Sequence, residues 1–434
     1  MNDETKKKVT RREFVTTAVA GTAAAAGLMI IKPQLVRGTA ANSQLSVGLL
    51  GCGGRGTHDC TVLATHTPAR IVALADLFQD HLDAAKAHFD GIAQQKGYAG
   101  IESQRIFRGA NAYQQIANSK DVDVVVITTP PYFHHTHLEA VVNAGKHAYC
   151  EKPVAVDVNG CKHVIEIGKK AEGRLSLDVG FELRQAPPYI ELTKRIQAGA
   201  LGRIATGSAF YFSTFIDRPA WAGQSKDYIR LRNWIYDRVL SGDIIVEQNI
   251  HVIDTFNWML KAHPLKATGT GGRQISTDSG NTYGHYNTTF YYPDDVTINF
   301  SSTQFDKGWW GVGGKFFGDK GVSEWGYSGP VAIYGDEPWS WGSGKAQASG
   351  GQGKFSVTGS FSDNLAQADP NKLGSFIESI TSGKFHNQAA LGAESTLSAM
   401  LAREAAYKGH AVTWDELNAM DMTWDSGIDL NQFA

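Results

Sequence analysis

The chain has 434 residues, with 41 Lys and Arg against 43 Asp and Glu, which gives a formal net charge of −2 at pH 7. A single hydrophobic core rarely grows beyond roughly 250–300 residues, so this length favours two domains. The near-neutral balance excludes a bulk attraction for nucleic acid or for an anionic membrane, and it favours small neutral ligands as partners.

The first 40 residues have the pattern of an export signal. Basic residues, including the pair Arg11-Arg12, precede a weakly apolar, alanine-rich run over 18–31, and small residues follow as far as Ala40. This order is typical of a secretory signal, and the paired arginines indicate the twin-arginine route, which carries folded proteins. A membrane anchor is the alternative, and the weak hydrophobicity of the run argues against it. We therefore predict a signal peptide over 1–40 and a periplasmic or otherwise exported protein, with no membrane contact beyond export.

Short apolar runs then alternate with helical stretches. The runs cover residues 45–50, 71–76, 122–127, 148–150 and 175–181. Strands that alternate with helices imply a parallel sheet, so the spacing predicts a Rossmann domain of the α/β class over 41–183.

The pattern changes after residue 183. Residues alternate between apolar and polar over 204–212, 288–292 and 296–300, which is typical of antiparallel strands with one solvated face. We expect a substrate-binding α+β domain with an open, mainly antiparallel sheet over 184–390. A helical run over 391–408 predicts a C-terminal segment, 391–434, that packs back near the Rossmann domain.

A glycine-rich loop joins the first strand to the first helix. It reads Gly51-Cys52-Gly53-Gly54-Arg55-Gly56. Glycines at this spacing between a strand and a helix permit a tight turn and a close approach of a dinucleotide pyrophosphate, so we predict that Gly51, Gly53, Gly54, Arg55 and Gly56 bind the cofactor. The alternative is a Rossmann domain whose glycine-rich turn binds no cofactor.

Asp76 ends the second strand, 20 residues after Gly56. A carboxylate at this point accepts hydrogen bonds from the adenosine ribose hydroxyls and repels a 2′-phosphate. The sequence therefore favours NAD over NADP.

The four cysteines all lie in the first half of the chain, and they are Cys52, Cys60, Cys150 and Cys161. None of them forms a CxxC pair, which argues against structural zinc, and they are too few for a disulfide-stapled scaffold. We predict that they are small core residues.

Three motifs carry a family resemblance: Thr129-Pro130-Pro131-Tyr132-Phe133-His134, Ala144-Gly145-Lys146-His147 and, most specifically, Cys150-Glu151-Lys152-Pro153. With them, nearly the whole mature chain resembles the glucose-fructose oxidoreductase, inositol dehydrogenase and rhizopine catabolism (Gfo/Idh/MocA) family. The resemblance implies that a nicotinamide and a sugar, glycoside or cyclitol meet between a Rossmann domain and an open-sheet domain. The cofactor contacts that it implies are Thr129, Pro130, His134, Glu151 and Lys152.

The family resemblance also supplies candidate catalytic residues. Its members use the lysine of Glu-Lys-Pro together with an aspartate and a histidine on one helix. The matching residues here are Lys152, Glu247 and His251, so glutamate stands where the family has aspartate. Oxidation of a secondary alcohol needs a base for the hydroxyl proton, and Lys152 and His251 compete for that role. The extra methylene of Glu247 leaves its distance to a substrate hydroxyl open.

The predicted helix over 242–254 carries a polar stripe. Asp243, Glu247, His251 and Asp254 are spaced by four, four and three residues among apolar neighbours, which indicates that they line a cleft. The Glu–His spacing also suits a metal, but a third ligand is not evident and hydride transfer needs none, so we predict no metal.

Further substrate contacts are expected from aromatic and arginine side chains. Tyr132 and His134 follow a strand end, where they flank the nicotinamide or the substrate, or form a plain turn. In the second domain the candidates are Arg184, Arg232, Trp234, Tyr236 and Arg238, for which a solvated or structural role is the alternative.

An exported enzyme meets little free NAD, so the cofactor must be regenerated in place. One design oxidises a sugar and passes the hydride to a second carbonyl compound. Another is an NAD-dependent glycosidase that oxidises a glycoside transiently at carbon 3 and eliminates the aglycone. A third reading is a non-catalytic NAD- and sugar-binding module. We favour the first, and the family resemblance implies a homo-oligomer.

Overall fold

The computed structural model describes residues 44–275, 280–342 and 362–433. The predicted export signal over 1–40 lies outside these ranges. Within them, no helix is both long enough and apolar enough to cross a membrane.

A six-stranded parallel sheet forms the N-terminal part. Its strands are β1 (Ser46–Leu50), β2 (Arg70–Asp76), β3 (Ile106–Arg108), β4 (Val124–Ile127), β5 (His147–Cys150) and β6 (Leu177–Val179). Their spatial order is β3-β2-β1-β4-β5-β6, so the strand order reverses beside β1. In β4, Val124 and Val126 pack into one core and Val125 and Ile127 into another. A strand covered on both faces therefore reads as an unbroken apolar run.

Helices connect these strands. They are α1 (Gly54–His66), α2 (Gln79–Gln95), α3 (Ala112–Asn118), α4 (His134–Asn143) and α5 (Val158–Ala171). The N-cap of α1 is Gly53, which has no side chain to bind the first backbone N–H groups. Those donors are left for a ligand. By contrast, α5 is capped by Asp157, which accepts a hydrogen bond from Gly160 N at 2.7 Å.

A nine-stranded sheet forms the second part. Its strands are β7 (Ile204–Phe212), β8 (Lys266–Gly272), β9 (His285–Tyr291), β10 (Thr297–Thr303), β11 (Gly311–Gly318), β12 (Gly321–Gly326), β13 (Ala332–Gly335), β14 (Trp339–Ser340) and β15 (Val412–Thr413). The order is β14-β13-β12-β11-β7-β10-β9-β8-β15, and within the described part of this sheet only β7 and β10 pair in parallel. The predicted fold class, a Rossmann domain followed by an open, mainly antiparallel sheet, is confirmed.

The remaining helices follow the six Rossmann strands in the chain. They are α6 (Pro187–Gln197), α7 (Lys226–Arg232), α8 (Arg238–Ser241), α9 (Ile244–Glu247), α10 (Ile250–Leu260), α11 (Ala368–Ser382), α12 (Ala389–Lys408) and α13 (Trp414–Ala419). Helix α12 packs against both α5 and β8. At Gly392 a Cβ atom would lie 2.8 Å from Val154 Cγ1, so the close approach of α12 to the first domain requires glycine.

The predicted single helix over 242–254 is wrong, because the chain breaks at Gln248 and Asn249 into α9 and α10. The break follows a start that is itself unusual. Asp243 has a φ of 80°, and its side chain caps α9 by accepting from Ile244 N at 2.7 Å. Two short helices therefore present Glu247 and His251, each near its own helix end.

Candidate active site

The glycine loop has one role for each glycine of the motif. Gly51 has a φ of 96°, and a Cβ there would lie 2.7 Å from the backbone of Thr128. At Gly56 a Cβ would lie 2.3 Å from Gly51 O, so only glycine lets α1 approach β1 this closely. Gly53 has no atom within 4 Å of its Cβ position. The loop is therefore packed at two glycines and open at the third, as a pyrophosphate cradle requires.

Asp76 is buried at the end of β2 and is held by backbone donors. Its carboxylate accepts hydrogen bonds from Cys52 N at 2.7 Å and from Phe78 N at 2.9 Å. The Nδ1 atom of His81 lies 3.3 Å from Asp76 Oδ2. These contacts fix the carboxylate beside the glycine loop, and each oxygen keeps acceptor capacity for a ribose hydroxyl.

Two neighbouring clefts meet at Thr128, Thr129 and Trp234, which line both. The outer cleft is lined by the glycine loop and Asp76. The inner cleft reaches Lys152, and the two together run from the dinucleotide loop to the second domain. The open face of the glycine loop and the fixed ribose acceptor fit a bound NAD.

Lys152 and Glu247 form an ion pair at the inner cleft. Lys152 Nζ donates to Glu247 Oε1 at 3.0 Å and to the Glu247 backbone oxygen at 2.6 Å. Both side chains are about nine-tenths buried, with 11% and 10% of their surface exposed. Two of the three ammonium donors are thus directed at Glu247, and the third is left for the cleft.

His251 lines the same cleft one helical turn beyond Glu247. Burial holds the pKa of the His251 imidazole well below its ordinary value, and the positive charges of Lys152 and Arg55 lower it further. Its Nδ1 atom is buried without a hydrogen-bond partner among the described residues. The ring is therefore a neutral imidazole.

His134 joins two turns that border the inner cleft. Its Nε2 lies 2.6 Å from Thr129 O and its Nδ1 lies 2.7 Å from Pro153 O. Burial lowers the pKa of His134 to about 4. The ring lines the cleft, but each nitrogen faces a backbone oxygen, to one of which the neutral ring donates, so its geometry suits positioning the turn that carries Lys152.

Arg55 is surrounded by carboxylates. Its guanidinium lies 3.1 Å from Asp59, 3.0 Å from Glu151, 3.3 Å from Glu182 and 3.0 Å from Asp369. Burial raises the pKa of Glu182, and the carboxylates of Asp369 and Glu151 add to the rise although Arg55 opposes it. The side chain of Arg55 thus ties the glycine loop to the Glu-Lys-Pro turn and to α11.

Three predicted substrate contacts are corrected by their partners. Arg184 donates to Asp254 at 2.8 Å and 2.9 Å, which also removes Asp254 from the predicted cleft-lining stripe. The hydroxyl of Tyr236 donates to Ile216 O at 2.8 Å and accepts from Ile216 N at 2.7 Å. The hydroxyl of Tyr132 accepts from Ser426 N at 3.3 Å. None of the three is among the side chains that line the inner cleft.

The remaining second-domain candidates divide. Arg232 pairs with Asp80 on the Rossmann domain and lies away from the inner cleft. Arg238 stacks on Tyr407, with its guanidinium 3.6 Å from the ring centroid. Asp243, the first residue of the predicted stripe, accepts a hydrogen bond from the Tyr407 hydroxyl at 2.6 Å. Trp234, by contrast, does line both clefts.

Several lining residues escaped the sequence reasoning, and they are Glu182, Tyr211, Ile216, Ile235, Gln248 and Tyr327. The inward-facing positions of β7 alternate, which would have pointed to Tyr211. The four cysteines are free and buried, as predicted.

Two family models match this architecture. The model described as the oxidoreductase family with an NAD-binding Rossmann fold matches residues 45–179, and the GFO/IDH/MocA C-terminal domain matches residues 189–324. The two matched ranges together exceed half of the chain. The chain belongs to the Gfo/Idh/MocA oxidoreductase family. Its first domain is an NAD-binding Rossmann domain, which confirms the predicted family and cofactor.

Curated relatives match the chain over part of their length. An inositol 2-dehydrogenase/D-chiro-inositol 3-dehydrogenase of Lactiplantibacillus plantarum is 32% identical over 148 residues, which are 34% of this chain and 37% of that protein. The chain therefore spans less than half the length of that relative in the match.

Solved structures match over a longer range. A scyllo-inositol dehydrogenase of Lactobacillus casei, solved with NAD(H) and scyllo-inositol, has a TM-score of 0.64 and 19% identity, covering 86% of this chain and 99% of that one. An aldose-aldose oxidoreductase of Caulobacter crescentus, complexed with glycerol, has a TM-score of 0.62 and 22% identity, covering 85% and 99%. At these identities the likeness establishes the common fold alone.

Proposed function

We propose that this Gfo/Idh/MocA protein is an NAD-dependent oxidoreductase that acts on a sugar, glycoside or cyclitol. The observation that carries the proposal is the joining of Lys152, Glu247 and a neutral His251 around one cleft, directly beside the dinucleotide loop. The curated relative from Lactiplantibacillus plantarum is named as a dehydrogenase of inositols, which supports a polyhydroxylated ring as the substrate class.

The side chains divide the proton chemistry between them. We assign the proton of the substrate hydroxyl to His251, because its neutral imidazole lines the same cleft as Lys152. Lys152 donates its remaining N–H to the same oxygen, while Glu247 holds the ammonium in place. Bound NAD supplies the hydride acceptor. Thr129 lines both clefts, Pro130 the outer one and Glu151 the inner one, and these residues would hold the nicotinamide end of NAD. Glu151 is oriented by Arg55 at 3.0 Å.

Retention of the cofactor follows from the proposed export. A protein folded and loaded before twin-arginine export would reach a compartment with little free NAD, so the hydride must leave again to a second carbonyl compound. A glycosidase that oxidises carbon 3 transiently also regenerates its NAD, and it is an outcome of the test below. We propose a homo-oligomer on the family resemblance alone.

The test begins with purification without added cofactor. We expect the protein to carry NAD(H) through gel filtration, and a cofactor-free protein that works only with added NAD would contradict retention. Incubation with a panel of free sugars, cyclitols and glycosides, followed by mass spectrometry, then identifies the reaction. A keto or lactone product supports oxidoreduction, a released aglycone supports the glycosidase, and no change in any substrate supports a binding module. His251→Asn is the control that should abolish either conversion.

A further inference from the structure

An extended segment near the end of the described chain lies across the surface of both domains. In residues 420–433, which we call the strap, half-buried and exposed positions alternate from Met420 to Leu430. The half-buried members include Met422, Trp424, Ile428 and Leu430. Alternation of this kind is the mark of an extended chain with one face against the protein, although the strap pairs with no strand of either described sheet.

The strap is fixed to elements of both domains. Trp424 N donates to Asp157 Oδ2 at 2.8 Å, and the Trp424 ring lies under the guanidinium of Arg403 at 4.1 Å. Further along, Ser426 O accepts from Arg230 Nη1 at 2.8 Å. Beyond these contacts, the rest of the strap continues towards the outer cleft.

Its last residues reach the outer cleft. Leu430 is part of the lining of that cleft, together with Asp76 and Phe78. The ring of Phe433 lies 6.1 Å from the ring of Phe78, and Phe433 O accepts from Arg108 Nη2 at 3.4 Å. The strap thus ends on the strand termini that carry the ribose acceptor.

Arg232 makes a second contact between the two domains at the same place. From α7 its guanidinium lies 3.8 Å above the ring of Phe78, and Nη1 donates to Asp80 Oδ2 at 2.9 Å. The rings of Trp221 and Tyr228 enclose it at 4.9 Å and 5.1 Å. Only 6% of the Arg232 side chain is exposed, so the contact is packed.

We propose that Arg232 and residues 427–433 form a clasp over the adenosine half of the NAD site. The inference rests on the proposed function, because it assigns residues to the retention of NAD. Both parts of the clasp contact Phe78, which lies two residues beyond Asp76, and Leu430 faces the cleft itself. The clasp completes an adenosine pocket whose inner wall is the Rossmann sheet.

The clasp connects two domains across the site, so the release of NAD requires its opening. Opening breaks the Arg232–Asp80 pair, separates the guanidinium from three aromatic rings, lifts Phe433 from Phe78 and removes Leu430 from the lining of the cleft. Enclosed cation–π contacts are strong relative to exposed ones, so loss of either part should raise the rate of NAD release while leaving the glycine loop unchanged.

The test measures release of NADH from the loaded, full-length protein. NADH fluorescence is followed after mixing with excess ADP-ribose, and Arg232→Ala is compared with a deletion of residues 427–434. The control is Arg105→Ala, which removes an Arg–Asp pair of 3.0 Å, with Asp121, on the surface of the Rossmann domain. We expect release about tenfold faster for each clasp variant and about the wild-type rate for the control.

The outcomes separate the clasp from retention itself. If wild-type protein retains NADH and both clasp variants retain it equally well, the clasp is wrong and the retention proposal stands. If wild-type protein loses NADH within a gel filtration run, retention is wrong, and the ratio of variant to wild-type release rates still decides the clasp. If Arg232→Ala does not fold, the deletion variant still tests the clasp, because residues 427–433 are exposed or half-buried and contribute no core residue. Circular dichroism and the unfolding midpoint show whether the deletion variant is folded.

Discussion

Replacing Lys152 with methionine separates its chemical role from its structural one. The substitution keeps the length of the side chain but removes the three donors and leaves the Glu247 carboxylate, with 10% of its surface exposed, without the ammonium 3.0 Å away. Removing one partner of a buried pair costs about 3 kcal/mol of the free energy of unfolding. We therefore expect Lys152→Met to be less stable, and to transfer hydride at least about 100-fold more slowly because its donor to the substrate oxygen is lost.

The double variant Lys152→Met with Glu247→Gln provides the matched control. The amide removes the unpaired charge, so the double variant should regain most of the lost stability, measured by guanidinium unfolding, but none of the rate. Hydride transfer is measured as single-turnover reduction of bound NAD, followed by the absorbance of the reduced nicotinamide. Wild-type turnover in Lys152→Met, or recovery of the rate in the double variant, would show that Lys152 is only structural and refute the proposed division of roles.

Three further outcomes follow from the same geometry. Gly56→Ala should prevent stable folding, since its Cβ would lie 2.3 Å from a backbone oxygen, whereas Gly53→Ala should fold normally and bind NAD about tenfold more weakly by equilibrium titration. His251→Asn should keep NAD but lose hydride transfer by at least about 100-fold in the single-turnover assay, and a wild-type rate would exclude His251 as the proton acceptor. Burial lowers the pKa of His147 to about 4, and its Nδ1 accepts from Ser176 N at 2.9 Å. Because the unfolded state then binds more protons below pH 6.5, stability should fall by up to about 3 kcal/mol as the pH drops from 6.5 to 4, and His147→Asn should show a shallower loss in urea unfolding.

The Rossmann domain could be predicted because its signals are local. A strand covered on both faces, a glycine loop and a carboxylate at the next strand end all lie within 50 residues. Strand β3 was missed, since Ile106–Arg108 has only three residues, none of them fully buried. It forms because it pairs in parallel with the edge of β2 at Leu74 to Asp76. A strand of three residues that depends on pairing with a remote strand has no recognisable pattern of its own in the sequence.

The break between α9 and α10 was missed for a related reason. The apolar pattern runs on through Ile244, Ile245 and Ile250, so periodicity alone indicates one helix. Helix α9 begins after Asp243, which has a positive φ and whose carboxylate accepts from the Tyr407 hydroxyl more than 160 residues away. It ends at Glu247, and Asn249 N donates to Ile244 O, five residues back, at 3.1 Å. A local pattern does not contain such a contact.

The candidate site residues that were found by local motifs lie at the site, whereas several that were chosen by residue type do not. Gly51, Asp76 and Lys152 were identified by motifs whose spacing carries the chemistry, and all three lie along the two clefts. Arg184 and Arg232 were selected by residue type, and the carboxylates that occupy them lie 70 and 152 residues away in the sequence. Residue type indicates what a side chain can bind, but its partner decides what it does bind.

Glutamate at position 247, where the family resemblance implies aspartate, links these observations to the proposed chemistry. Its longer side chain reaches Lys152 Nζ at 3.0 Å, and its backbone oxygen accepts from the same atom. His251, one turn further on, then has no carboxylate on its buried Nδ1, and burial keeps its imidazole neutral. A carboxylate in contact with both Lys152 and His251 would stabilise positive charge on each of them, and the imidazole would then not be kept neutral. Because Glu247 is committed to the lysine, the proposed mechanism has a fixed cation to bind the substrate oxygen and a separate neutral imidazole to take its proton.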